Sequence, residues 1–366
     1  VKARTRIGII GCGVISEIYL KNLKQFPMIE ITACADLITE KAIERARQFD
    51  IPRAVSVEEL LNDDQTELVL NLTIPKAHTE IAKAALNQGK NFYTEKPLAA
   101  DIEDAKEILA LAKSKNLKIG CAPDTFLGGA MQTCRKLIDD GWIGRPIAAT
   151  AFFMGRGPEN WHPNPDFFYQ SGAGPVFDMG PYYLTALVSL LGPVQYVNTM
   201  AQITHPVRTI TSKPHYGEKI NVKVPTHVTG ILNFECGVIA TTIISFDIMG
   251  SGLPHIEIYG TDGTLSIPDP NFFGGPIRIK KPGSEEWREI PFLFEYTDNW
   301  RGIGLVDMAN ALRSGRPHRA NGEVGYHVLE IMNALSQISP NGIQVPIHSR
   351  CERPSAMKSD LLKNGL

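Results

Sequence analysis

From residue 6 to residue 122 the chain repeats one alternation: a short apolar run, then a stretch with helical spacing. The runs are RIGII (6–10), IEITACAD (29–36), LVLNLT (68–73), NFYT (91–94) and LKIGCA (117–122), with a weaker one at Ala54–Val55. Runs that are apolar throughout and separated by helices imply parallel strands covered on both faces. The intervening helices have legible ends. Ser56 and Glu59 form a capping box, Asp101 opens DIEDAKEILALAKSK, and AHTEIAKAALNQG finishes on Gly89 as a C-terminal cap. A doubly wound α/β domain is therefore expected over residues 1–121.

After residue 122 the pattern changes. A helix near 129–140 ends at Gly141, and PIAATAFFM reads as a strand. A loop rich in Gly, Pro and aromatic residues runs from Gly155 to Pro175, followed by a helix to Leu191. From Val194 to about Pro291 the chain is mostly strands and turns, with hairpins around Gly237 and around Asp262–Gly263. Two helices follow, near 300–313 and 322–337. Strands without intervening helices imply a largely antiparallel sheet, so residues 122–366 are expected to form an α+β domain. Along 226–267 apolar side chains fall on both faces of the strands. That pattern predicts a homo-oligomer, a dimer or tetramer, covering the second face.

Bulk properties exclude some partners. The net charge of -2 gives no support for electrostatic capture of nucleic acid or an anionic membrane. No apolar run approaches the roughly 18 residues needed to span a bilayer. VKARTRIGII runs straight into a strand-like segment and lacks a signal-peptide pattern. The six cysteines form no C-x-x-C pair and there is no His cluster at zinc spacing. No metal site is expected, and reduced thiols in a cytoplasmic protein are.

IGIIGCGVISEIYLKNL places Gly11, Gly13 and Ser16 directly after the first strand and at the start of a helix. In that context G-x-G-x-x-G marks dinucleotide binding. Gly11 permits the tight turn. Gly13 lets a pyrophosphate approach the N–H groups of the helix start, at Val14, Ile15 and Ser16. Ser16 stands where Gly or Ala is usual, and is still small. Asp36 ends the second strand, 23 residues after Gly13, where an acid accepts hydrogen bonds from ribose hydroxyls. A carboxylate there favours NAD over NADP, and no Arg or Lys follows at once. The alternative is that Asp36 caps the next helix. On the same rim, NFYTEKPLA pins Lys96 between Glu95 and Pro97, which biases Lys96 to extended backbone. Either this is a solvated loop, or the ammonium is aimed into a site where it stabilises an alkoxide.

Together with TIPKAHTEIA (73–82), TEKPLA and GAGPVFDMGPYYL (172–184), these residues make the chain resemble the Gfo/Idh/MocA oxidoreductases, which include inositol dehydrogenases. The resemblance implies a Rossmann domain followed by a domain whose open sheet often mediates oligomerisation. It also implies hydride transfer between NAD(P) and a secondary hydroxyl of a sugar, glycoside or cyclitol. Thr73, Pro75, His78, Glu95 and Lys96 then join Gly11, Gly13 and Asp36 as cofactor-side residues. The family's catalytic lysine falls on Lys96, and its D-x-x-x-H/Y pair falls on Asp178 and Tyr182, which share a face if one helix holds both.

A tyrosine hydroxyl ordinarily titrates near pH 10, so Tyr182 acting as a base needs the Lys96 charge nearby. His162 is a rival base, and Tyr183 reads as packing. On the substrate side, Trp161 suits stacking on a sugar face, while Asn160, His162 and Asp124 suit hydroxyl groups. Trp161, Asn160 and His162 equally suit holding a Pro-rich loop, Asp124 a turn or helix cap, and His78 the start of its helix. Two other functions fit the same fold: glycoside cleavage by transient oxidation, and a cofactor-sensing regulator. Keeping Lys96, Asp178 and Tyr182 together argues against the regulator.

Overall fold

Every apolar run before residue 122 is a strand in the computed structural model, which describes residues 4–338 and 341–358. In order these are β1 (Thr5–Ile10), β2 (Ile29–Ala35), β3 (Ala54–Val55), β4 (Leu68–Asn71), β5 (Asn91–Thr94) and β6 (Ile119–Cys121). Between them lie α1 (Ser16–Leu23), α2 (Thr39–Gln48), α3 (Val57–Asn62), α4 (Pro75–Asn87) and α5 (Ile102–Ser114). The strands pair in parallel in the order β3-β2-β1-β4-β5-β6. That order reverses direction between β1 and β4, which makes the crevice above their carboxyl ends the place for a ligand. The helix ends follow the sequence signals. Ser56 and Glu59 exchange the two bonds of a capping box, Asp101 accepts from Asp104 N–H, and Gly89 has a φ of 71°.

The second sheet has nine strands. After α6 (Gly129–Asp139) come β7 (Pro146–Met154), α7 (Pro175–Asp178), α8 (Gly180–Leu191) and β8 (Val194–Gln202). Next are β9 (Val207–Thr209), β10 (Lys219–Asn221), β11 (His227–Phe234), β12 (Ile239–Ser245), β13 (Ile256–Gly260), β14 (Gly263–Ile267), β15 (Ile277–Lys280) and β16 (Arg288–Ile290). The chain closes with α9 (Ile303–Ser314), α10 (Gly322–Leu335) and β17 (Ile343–Pro346). The sheet order is β16-β15-β14-β13-β7-β12-β11-β8-β17, antiparallel except for the β7–β12 pair. Strands β9 and β10 form a separate two-stranded arm between β8 and β11. No helix among the described residues is long and apolar enough to cross a membrane.

The chain divides into two compact units, and the division is not a single cut after residue 121. Of the described residues, one unit holds those from 4 to 128 together with Phe294–Tyr326 and 357–358. The other holds Gly129–Leu293 and His327–Ala356. The return of 294–326 has a local cause in the edge strand β6. Cys121 N–H bonds to Ala320 O at 3.0 Å, Gly120 pairs with Asn321, and α9 buries Ile303, Leu305, Val306 and Met308. An uncovered edge of a parallel sheet leaves backbone groups unpaired, and nothing in the apolar periodicity of 1–121 says which later segment covers it.

Candidate active site

The glycine loop is shaped by close approach. Gly11 has a φ of +102°, and a Cβ there would lie 2.7 Å from the Leu72 carbonyl carbon. Only glycine meets both conditions. Above Gly13 the space is open, with no heavy atom within 4 Å of where a Cβ would sit. The Gly13 carbonyl is held from below by Ser16 Oγ at 2.6 Å, Ser16 N–H at 3.2 Å and Arg45 Nη2 at 3.3 Å. In a trans peptide the N–H points opposite the C=O, so Val14 N–H is turned away from these donors. Val14 is 94% exposed, Ile15 precedes the first turn of α1, and Ser16 is fully buried. Ser16 therefore does more than stay small, because its hydroxyl orients the loop.

Asp36 does not cap α2, whose N-cap is Ile38 without a side-chain bond. Its carboxylate instead accepts from Cys12 N–H at 2.7 Å and Ile38 N–H at 2.9 Å. Each carboxylate oxygen keeps acceptor capacity, so the group can tie the loop to the end of β2 and still receive a ribose hydroxyl. Exposed Leu37, Ile38 and Ile74 are apolar residues on the same rim, of the kind a base stacks on. These features fit a dinucleotide whose pyrophosphate rests on the α1 N-terminus.

The next two strand ends complete the rim. Asn71 is buried at the end of β4, where its Oδ1 accepts from Thr73 Oγ1 at 2.8 Å and its Nδ2 donates to Thr94 Oγ1 at 3.0 Å. Pro75 begins α4 and is exposed. Glu95 accepts from Tyr19 O–H at 2.6 Å and from Lys96 N–H at 2.9 Å, which fixes the backbone from which the half-buried Lys96 extends. The Lys96–Pro97 peptide is cis.

His78, a candidate for the border of a nicotinamide site, is fully buried. Its Nδ1 lies 2.8 Å from Pro97 O and its Nε2 3.1 Å from Thr73 O, so it joins the loops after β4 and β5. Burial lowers its pKa, against the pull of the two carbonyls.

Asp124 is a correction. Expected to face a substrate, it is 1% exposed, and its Oδ2 accepts from Gly302 N–H at 2.8 Å and Gly304 N–H at 2.9 Å. It anchors the start of α9 from a distance, and makes no side-chain cap bond to the Thr125–Leu127 turn that follows it. Burial raises its pKa to about 6, against those two N–H bonds and helped by the Glu95 charge.

In the other unit, Asp178 is the last residue of α7 and Tyr182 the third of α8, with Met179 between the helices. The two half-buried residues thus flank a helix junction rather than sharing one continuous helix. Tyr183 is fully buried, its hydroxyl 2.9 Å from His255 Nδ1 and 3.3 Å from Asp269 Oδ1. Trp161 is 64% exposed with His162 and Phe168 edge-on to its ring. Asn160 is half-buried at the end of a short turn, Pro158–Asn160.

His162 is tied into its own loop. Its Nδ1 accepts from Asn164 N–H at 3.0 Å, a contact within the Pro-rich loop of the kind that was the alternative to a substrate-side role. Sequence reasoning also missed Arg208, Glu159 and Asp247, which meet in one buried ion cluster. A single arginine between Val207 and Thr209 gives no sign of being inward-facing.

Comparison with known proteins agrees with this architecture. Residues 5–122 match the oxidoreductase family with an NAD-binding Rossmann fold, and residues 131–266 match the Gfo/Idh/MocA C-terminal domain. The chain is 27% identical over 266 residues to 1,5-anhydro-D-fructose reductase of Ensifer adhaerens, covering 71% of this chain and 74% of that one. It is 26% identical over 285 residues to levoglucosan dehydrogenase of Pseudarthrobacter phenanthrenivorans, covering 71% and 72%. Among solved structures, levoglucosan dehydrogenase in complex with NADH superposes with a TM-score of 0.80 at 20% identity, over 94% of this chain and 99% of that one. An NAD-binding oxidoreductase from Klebsiella pneumoniae gives 0.82 at 22% identity, over 94% and 99%. With both of its domain types matched along the chain, the protein belongs to the Gfo/Idh/MocA family of NAD-binding oxidoreductases.

Proposed function

We propose that this protein is a dehydrogenase that uses NAD to oxidise a secondary hydroxyl of a sugar, glycoside or cyclitol. The observation that carries the reading is the rim of the parallel sheet. There the space above Gly13 is open, the Asp36 carboxylate keeps acceptor capacity beside the glycine loop, and Lys96 follows β5, an arrangement that supports dinucleotide binding next to a lysine. Gly11, Gly13, Val14, Ile15, Ser16 and Asp36 hold the adenosine diphosphate end, and Thr73, Pro75 and Glu95 border the nicotinamide end. NAD, when bound, supplies the hydride acceptor. Tyr182 takes the proton of the substrate hydroxyl, Asp178 orients it, and the Lys96 ammonium stabilises the oxygen as negative charge develops. Trp161 offers an exposed ring to the apolar face of a sugar, and Asn160 a polar group to its hydroxyls. The relatives named for levoglucosan and anhydrofructose support a carbohydrate substrate.

Two further parts of this reading concern setting. Tyr196, Met200, Ile231 and Ile239 are 44%, 55%, 45% and 53% exposed on the large sheet, which supports a homo-oligomer that covers that face. Six unbridged cysteines suit the reducing cytoplasm. The test is a panel of sugars, glycosides and cyclitols with NAD⁺, read by NADH absorbance, with light scattering on the same sample. Release of an aglycone without NADH accumulation would replace oxidation by glycoside cleavage, and no turnover across the panel would reject the reading.

A further inference from the structure

The segment 155–174 carries Asn160, Trp161 and His162 yet contains no α-helix or strand, only two short turns. A loop this long is ordinarily loose. Here it is fastened at several points to the arm formed by β9 and β10. Arg208, the middle residue of β9, faces inward beside Ile220 of β10, where strand alternation would normally place an apolar residue. Its side chain is 8% exposed and meets two carboxylates: Nη1 donates to Glu159 Oε1 at 2.5 Å, and Nη2 to Asp247 Oδ1.

Glu159 is the hub on the loop side. Its second oxygen accepts from Tyr169 O–H, and its backbone carbonyl accepts from Thr211 N–H at 2.8 Å and Ser212 N–H at 3.1 Å. Ser212 Oγ then donates to His162 O at 2.6 Å. Beneath these bonds Phe168 and Tyr169 pack with Ile210, Ile220, Val222 and Phe246 in a small core of their own, and the guanidinium lies 5.2 Å from the Tyr169 ring centre.

Glu159 is two residues from Trp161, whose N–H bonds to Pro158 O at 3.1 Å and whose ring lies edge-on to Phe168 of the same small core. A buried arginine with two buried carboxylates is a poor way to add stability compared with an apolar side chain, but it fixes geometry in three directions. We propose that Arg208 is a positioning residue: acting through Glu159, it holds Asn160, Trp161 and His162 in place, so that the β9–β10 arm sets how tightly a sugar ring is held. This rests on the sugar-dehydrogenase reading for its substrate and on the ion cluster alone for its mechanics.

The experiment compares wild type, Arg208→Met, Arg208→Lys and Glu159→Gln, each loaded with NAD⁺. Because Arg208→Met leaves two buried carboxylates facing each other, the near-isosteric Glu159→Gln is the variant that decides if the other fails to fold. Hydrogen exchange of amides 157–164 should rise about tenfold in Glu159→Gln, as expected for freeing a locally held segment, with Arg208→Lys between it and wild type. On the polyol that wild type oxidises, KM should rise about tenfold while kcat stays within about threefold, the pattern of lost ground-state positioning. Unchanged exchange at 157–164, or a fall in kcat at constant KM, would overturn the proposal. If wild type oxidises no polyol, the dehydrogenase reading fails separately and the exchange result still decides the clamp.

Discussion

Replacing Asp124 by Asn isolates the energetic cost of a single buried carboxyl. In the folded protein this acid is pushed up from the ordinary 3.8 to about 6, chiefly by burial and further by Glu95, while Gly302 N–H, Gly304 N–H and Arg301 pull it down. A group whose folded pKa is raised binds protons more tightly in the folded than in the unfolded chain. Its contribution is therefore fully present below about pH 4 and lost as pH rises through about 6. At about 1.4 kcal/mol per tenfold change in proton affinity, the loss is about 3 kcal/mol. Asparagine keeps an oxygen that can accept from both glycine amides and has no charge to bury.

Wild type and Asp124→Asn should then have similar melting temperatures at pH 4. As pH rises to 7.5 the variant should become the more stable by roughly 6–12 °C, taking about 2–4 °C per kcal/mol for a unit of this size. Scanning calorimetry of both proteins at half-unit pH steps gives the difference curve. A difference that does not change with pH would show that Asp124 does not titrate in this range. A variant that loses stability at pH 7.5 would show that the two N–H bonds need the full charge.

Five other substitutions test the proposed site residues. Asp36→Ser removes the acceptor of Cys12 N–H and Ile38 N–H as well as the ribose contact, so titration calorimetry should show NAD affinity falling about tenfold or more and its preference over NADP narrowing. Gly11→Ala puts a methyl 2.7 Å from the Leu72 carbonyl at a φ of +102°, and should abolish NAD binding or soluble expression, whereas Gly13→Ala should fold normally and weaken only the cofactor. Lys96→Ala should lower kcat by about 10²–10³, worth roughly 2.7–4 kcal/mol of electrostatic stabilisation, with NAD affinity nearly kept. Tyr182→Phe should do the same if it is the base, and stopped-flow NADH absorbance with each variant separates chemistry from binding.

The parallel half of the fold was legible because its signals are local. Apolar runs, the capping box at Ser56 and the glycine spacing after β1 each involve residues that touch their sequence neighbours. The nine-stranded sheet was legible as strands and hairpins, since Gly237 and Gly263 mark turns, but its order was not, because β7 pairs with β12 and β13 across long intervals. Misreadings arose where a polar side chain is satisfied by a distant backbone. Asp124 looks like a substrate ligand until the amides of Gly302 and Gly304 arrive from 178 and 180 residues away. Asp36 shows the opposite case, since its bond to Cys12 N–H adds a loop anchor to the ribose role that its position suggested.

One arrangement at the rim carries a consequence for motion. Both ring nitrogens of His78 face carbonyl oxygens, Pro97 O on one side and Thr73 O on the other. A neutral imidazole carries one N–H and so donates in one direction at a time; the other nitrogen then turns a lone pair toward an oxygen. Burial disfavours the doubly protonated ring that would satisfy both. The loop that ends in Thr73 and the loop that follows Lys96 therefore compete for a single proton. At any moment only one of the two loops beside Lys96 is held by a full hydrogen bond from the imidazole.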